Sequence, residues 1–139
     1  MSQDTAELVR SLYEAFGKGD VPYVMGMFSA DLVWNEAESF VYADRNPYVG
    51  PQAVLEGVFL RLGTEWDGFS VAPEEIVASG DTAVALGRYR GTCKASGVQV
   101  DAQFAHVWKL ADGKVVRFQQ YTDTAQFRDA VGKPQAAGA

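Results

Sequence analysis

Apolar residues recur at helical spacing at the start of the chain. Across residues 5–17, Leu8, Val9, Leu12, Tyr13 and Phe16 follow three- and four-residue steps, while Glu7, Arg10, Glu14 and Lys18 fall elsewhere. This predicts an amphipathic helix with Asp4 or Thr5 as its cap and Gly17 and Gly19 as its stop. Asp20 can cap a second, short helix that carries Val21, Val24, Met25 and Phe28, with Pro22 tolerated in its first turn. The period then changes to two. Over residues 31–37, Leu32, Trp34 and Glu36 share one side and Val33 and Asn35 the other, which predicts a short strand with Glu36 on the face of a tryptophan.

Residues 37–48 keep no period and contain Asn46-Pro47, as expected of a loop that runs over an opening. Gly50-Pro51 ends the loop and starts a third helix, in which Val54, Leu55, Val58, Phe59 and Leu62 repeat at helical spacing as far as Gly63. Four apolar segments follow, at 68–78, 82–92, 99–110 and 114–122. They are separated by Gly80-Asp81, Ser96-Gly97 and Asp112-Gly113. Helices collected at the start and hairpin-connected strands after them predict an α+β architecture with a strongly curved, mainly antiparallel sheet.

The hairpin of the last two strands places the sole histidine. Even positions of the first strand read Val98, Val100, Ala102, Phe104, His106, Trp108 and Leu110, so His106 points from an apolar face. A three-residue loop over residues 111–113 sets His106 opposite Phe118, Phe104 opposite Gln120 and Ala102 opposite Thr122, and is the preferred register. A two-residue Asp112-Gly113 turn would turn Arg117, Gln119, Tyr121 and Asp123 to that face instead. His106 is then either a packed, hydrogen-bonded core imidazole or a donor and proton shuttle whose pKa an apolar pocket has moved. Glu36 beside Trp34 is either a solvated strand end or a desolvated general base. Asp123-Thr124 precedes a short apolar-periodic segment and reads as a helix cap.

Composition narrows the chemistry. The 139 residues carry a net charge of -6, which opposes a nucleic-acid partner, and no run reaches the length of a membrane span. The opening Met-Ser-Gln-Asp-Thr lacks a signal-peptide pattern, so a cytoplasmic location is the expectation. One histidine and one cysteine, Cys93, leave no cluster for a metal, and no glycine pattern cradles a phosphate. No metal and no cofactor are expected. Arg88 and Arg90 share a face with Val84 and Leu86 and read as a solvated outer face.

The order helix, helix, short strand, helix and four-stranded meander resembles the NTF2-like cone fold, specifically its SnoaL-like and ketosteroid isomerase-related branch. The segments that carry the likeness are Leu12-Tyr13-Glu14-Ala15-Phe16 to Gly19-Asp20, residues 27–34, Gly50-Pro51-Gln52-Ala53-Val54, and Phe104-Ala105-His106-Val107-Trp108 running into residues 112–116. The resemblance implies a single SnoaL-like domain over residues 1–132, and the small, polar residues 133–139 read as a flexible tail. By the same resemblance, Glu36 falls where ketosteroid isomerases place the carboxylate that abstracts a proton beside a ketone. His106 falls where those enzymes place an acid that donates to the enolate and where SnoaL-like cyclases carry histidine. The isomerase tyrosine position falls on Leu12, with Tyr13 next to it expected to point elsewhere. The cyclase aspartate position falls on Gln120, which disfavours a cyclase of that type. The expected site is Glu36 as base and His106 as electrophilic donor in a cavity lined by Trp34, Phe59, Phe104, Trp108, Phe118 and Gln120. The expected function is acid-base isomerisation or related chemistry on an apolar carbonyl compound, with a non-catalytic ligand-binding or dimerisation domain as the alternative. An apolar small molecule and a second copy of the chain are the expected partners.

Overall fold

A computed structural model describes residues 2–132, so the tail expected over 133–139 lies outside the described residues. Helix α1 (Ser2–Gly17) and helix α2 (Val21–Gly26) precede strand β1 (Phe28–Asn35). Asp20 caps α2 by accepting from the Tyr23 amide at 3.2 Å. A short strand β2 (Tyr48–Val49), unmarked by any alternation in the sequence, pairs antiparallel with β1. The third helix is continuous but changes pitch: α3 (Pro51–Val54), a π-helical stretch (Leu55–Phe59) and α4 (Leu60–Glu65). Strands β3 (Trp66–Ser79), β4 (Thr82–Cys93), β5 (Gln99–Ala111) and β6 (Lys114–Thr122) follow, and α5 (Thr124–Gly132) closes the described chain.

The sheet order is β2-β1-β6-β5-β4-β3. Every pairing is antiparallel except β1 with β6, which makes the sheet mixed. Because β1 is separated from β6 in sequence by the whole meander, it can join that edge in parallel only by this long crossover. Bulges in β3, between Asp67 and Ser70 and between Pro73 and Glu75, bend the edge strand. At the second bulge the β3 backbone comes so close that a Cβ on Gly87 would lie 2.1 Å from the Ala72 carbonyl oxygen. Only glycine fits there. The bent sheet wraps around α1, α2 and the third helix, and one apolar cluster fills the concave side, from Val9 and Leu12 on α1 to Phe118 on β6.

The β5–β6 register corrects the preferred sequence reading. Ala111 pairs with Lys114 across a two-residue turn in which Asp112 and Gly113 have φ of 51° and 76°. The pairing then shifts by one between Lys109 and Leu110, leaving Val116 as the extra residue of a bulge. The turn alone would have sent Arg117 and Gln119 inward, and the bulge reverses that. His106 therefore faces Gln120, Trp108 faces Phe118, and Phe104 faces Thr122.

Candidate active site

Glu36 follows directly on β1, on the inward side that also carries Leu32 and Trp34, because alternation along the strand puts all three on the concave face. Its carboxyl is buried, with 3% exposure. The Trp34 indole N–H donates to Oε2 at 3.0 Å. Among the described residues Oε1 has no hydrogen-bond partner, and it opens on the cavity. The Asn46 side chain holds the backbone of Glu36 on both sides. It accepts from the Glu36 N–H at 3.0 Å and donates to the Glu36 carbonyl at 2.8 Å. Burial in apolar surroundings pushes the Glu36 carboxyl up to about 8, offset in part by the Trp34 hydrogen bond and by the charge of Arg61.

His106 sits at the centre of a closed set of hydrogen bonds. Nδ1 lies 2.6 Å from the Tyr13 hydroxyl, and Nε2 bonds the Tyr89 hydroxyl. Tyr13 also accepts from the Trp108 indole at 2.9 Å, and Tyr89 accepts from the Gln120 amide at 2.9 Å. The Gln120 oxygen accepts from the Ala37 N–H at 3.0 Å. A backbone N–H can only donate, so this bond fixes which end of the Gln120 amide faces Tyr89. Burial with no carboxylate on the ring drops the imidazole to about 3, so it is neutral at physiological pH.

The two groups line one apolar cavity of about 60 Å³ between the sheet and the helices. Trp34, Phe59, Trp108, Phe118 and Gln120 are among its lining residues. Phe104 does not reach the cavity wall. It stacks on the far side of the imidazole, ring centres 4.0 Å apart, and packs on Tyr89 at 4.7 Å. The expectation for Tyr13 is also corrected: it points into the cavity and bonds His106. Leu12 and Tyr13 are both buried, because the wrapped sheet covers a wider arc of α1 than a single ridge. Tyr89 was not anticipated from the sequence. It lies on the inward face of β4 after Ala83, Ala85 and Gly87, as the one large ring among small residues. Asn46 carried no signal beyond its place before a proline.

The remaining candidates have other duties. Asp123 accepts from the Gln126 N–H at 3.4 Å, at the start of α5. Arg88 and Arg90 both pair with Asp101 on the outer face, at 2.6 and 3.4 Å. Cys93 is buried. Among the described residues no three His, Cys, Asp or Glu side chains gather as a metal site, and no helix is long and apolar enough to cross a membrane.

Residues 9–118 match the model of the SnoaL-like domain. The chain belongs to the SnoaL-like family. Solved structures agree with this fold. An NTF2-like protein from Burkholderia thailandensis E264 is 32% identical, covers 93% of this chain and 98% of its own, and superposes with a TM-score of 0.88. An NTF2-like protein of unknown function from Burkholderia pseudomallei K96243 is 28% identical over 96% of this chain and 100% of its own, with a TM-score of 0.84. A hypothetical protein with a ketosteroid isomerase-like fold from Catenulispora acidiphila, in complex with trimethylamine, shares the fold at 16% identity over 92% of this chain and 94% of its own, with a TM-score of 0.76. The sequence matches none of the curated proteins. In the SnoaL-like cone of this chain, the Gln120 amide is spent on Ala37 and Tyr89.

Proposed function

We propose that this SnoaL-like protein is a cofactor-independent enzyme that moves a proton on an apolar carbonyl compound, with Glu36 as the base. The observation that supports this most is the Glu36 carboxyl itself: it is buried in an apolar cavity, with Oε2 held by Trp34 and Oε1 free toward the cavity. A carboxyl pushed up to about 8 is a far stronger base than one in water, and it is still partly ionised near neutral pH. In the reaction the carboxylate removes a proton from the carbon beside the carbonyl. The C–H electron pair becomes a C–C π bond, and the carbonyl π pair moves to oxygen. Glu36 then returns the proton to another carbon, so that the net change is an isomerisation that needs no oxidant. The developing oxyanion needs a donor, and the network centred on His106 supplies it from the same cavity. Because both ring nitrogens already bond tyrosines, His106 enters this scheme through its partners and not as a free donor.

A slim β,γ-unsaturated ketone, 3-cyclohexenone, tests the reading through the ultraviolet band of its conjugated isomer. The wild-type protein accelerates conjugation and Glu36→Gln falls by about 10²–10⁴-fold, the usual worth of a positioned base. Equal rates for the two proteins would overturn the assignment of Glu36. A second reading, storage of an apolar ligand without turnover, draws on the almost wholly apolar lining. Under that reading Glu36→Gln alters affinity and no conversion occurs.

A further inference from the structure

Strands β1 and β2 pair in a register that runs on past the ends of both. Val33 faces Val49 and Trp34 faces Tyr48, and on the other side of these pairs the Gly50 N–H donates to the Leu32 carbonyl at 2.8 Å. In an antiparallel pair every second residue points both its N–H and its C=O at the partner strand, so Leu32, Trp34 and then Glu36 turn these groups to the β2 side. The residue opposite Glu36 in this register is Asn46.

The backbone of that segment does not supply the two bonds. β2 starts only at Tyr48, Pro47 has no N–H to give, and the Asn46 N–H turns away to the Ala43 carbonyl at 3.1 Å. The Asn46 side chain stands in for the strand: Oδ1 accepts from the Glu36 N–H at 3.0 Å, and Nδ2 donates to the Glu36 carbonyl at 2.8 Å. Such an exchange needs a donor and an acceptor side by side on one short planar group, which asparagine has and aspartate, an acceptor only, lacks. The carboxyl end of Glu36 is held separately, by Trp34, whose indole stacks on Phe118 with ring centres 3.7 Å apart. Asn46 itself is exposed and is not among the cavity's lining residues.

We propose that Asn46 is the positioning residue of the base: by replacing a strand partner it fixes the Glu36 backbone, and with it the direction in which Oε1 faces the cavity. Asn46 touches no ligand, so it serves turnover and not binding. The proposal rests on the acid-base reading above for the reaction it serves, while the hold on Glu36 can be measured without any reaction.

Amide hydrogen exchange on the wild-type protein comes first. The Glu36 N–H is expected to be protected although it lies beyond the end of β1, and exchange at the rate of an open amide overturns the proposal with no variant needed. Asn46→Ala, at an exposed position, leaves no void in the core, and Asn46→Ser is too short to span both groups. In each variant the Glu36 N–H loses its protection. The ¹³C signal of the Glu36 carboxyl, identified by its absence in Glu36→Gln, then titrates lower than in wild type by about one pH unit or more, because a loosened carboxyl reaches water. The groups around it are Tyr13, Tyr48, Tyr89, His106, Arg61 and the Asp44 paired with Arg61. None of them changes charge between pH 5 and 9: the tyrosines and Arg61 are held up, Asp44 is held down, and the imidazole lies at about 3. With 3-cyclohexenone, kcat falls by about 10- to 100-fold in both variants while KM stays, as expected for a displaced base. An unmoved titration or an undiminished kcat overturns the proposal, since a role in stability alone lowers Tm and changes neither. The two readings fail separately. A wild type without conversion removes the acid-base reading and leaves exchange and titration to decide the hold on Glu36, whereas variants equal to a wild type with Glu36-dependent conversion remove only the role of Asn46.

Discussion

Glu36 and His106 pull the stability of the protein in opposite directions as pH changes. The Glu36 carboxyl lies at about 8 when folded against an ordinary 4.5, so the folded state holds the extra proton between these values and loses stability as pH rises through them. The imidazole lies at about 3 against 6.5, so the unfolded state holds the extra proton and the fold loses stability as pH falls from 6.5 to 3. Between 4.5 and 6.5 the two slopes offset each other. Above 6.5 only the Glu36 slope remains. Glu36→Gln removes that slope, so thermal unfolding should show wild type losing stability from pH 6.5 to 9 by a few kcal/mol relative to the variant. Parallel profiles for the two proteins would place Glu36 in water. At this scale the sequence carried part of the site. The alternation of Leu32, Trp34 and Glu36 was readable because strand periodicity is strict, and so was the apolar face of His106. The tyrosines that occupy both nitrogens of His106 were not, because Tyr13 and Tyr89 meet it only through long-range packing of α1 and β4 on β5.

The elements hold these residues by close approaches that sequence patterns record poorly. Gly57 lies in the π-helical stretch, where a Cβ would sit 2.2 Å from the Tyr48 ring. The Tyr48 hydroxyl donates to the Tyr42 carbonyl at 2.5 Å, and the Tyr42 hydroxyl donates to Glu65 at 2.5 Å, so the segment after Glu36 is tied to the third helix. Arg61 adds a two-pronged contact to Asp44 at 2.9 and 3.2 Å. Gly57→Ala should push Tyr48 out of place and cost about 1–3 kcal/mol, read as a lower Tm and a lower denaturant midpoint. Unchanged stability would mean that the ring has room to move. The helical period of Val54, Leu55, Val58, Phe59 and Leu62 announced the third helix but not its change of pitch, since one extra residue per turn barely disturbs an apolar stripe. The β5–β6 register shows the same limit. Val115 and Val116 are both apolar, so nothing in their order reveals which one the bulge leaves unpaired, and the two one-residue errors, in turn and bulge, add to a slip of two residues that leaves the same face presented.

At the scale of the whole molecule, the order of elements carried the fold. Helices gathered before a long meander leave a bent sheet only one concave side to cover, and the chain's apolar residues supply its lining. The parallel join of β1 to β6 was not legible, because a pairing across most of the chain leaves no local mark. The cavity unites Glu36, at the end of β1, with the His106 network on β5, two elements brought together by β6 between them. Removal of a proton from carbon is the chemistry proposed for this cavity. The most direct test is solvent deuterium exchange at the carbons beside the carbonyl of cyclohexanone, followed by proton NMR across pH 6 to 9. Wild type is predicted to exceed buffer-catalysed exchange with a rate that climbs as Glu36 ionises near pH 8, and Glu36→Gln is predicted to match buffer. Exchange by wild type no faster than buffer, or undiminished in Glu36→Gln, would contradict the account.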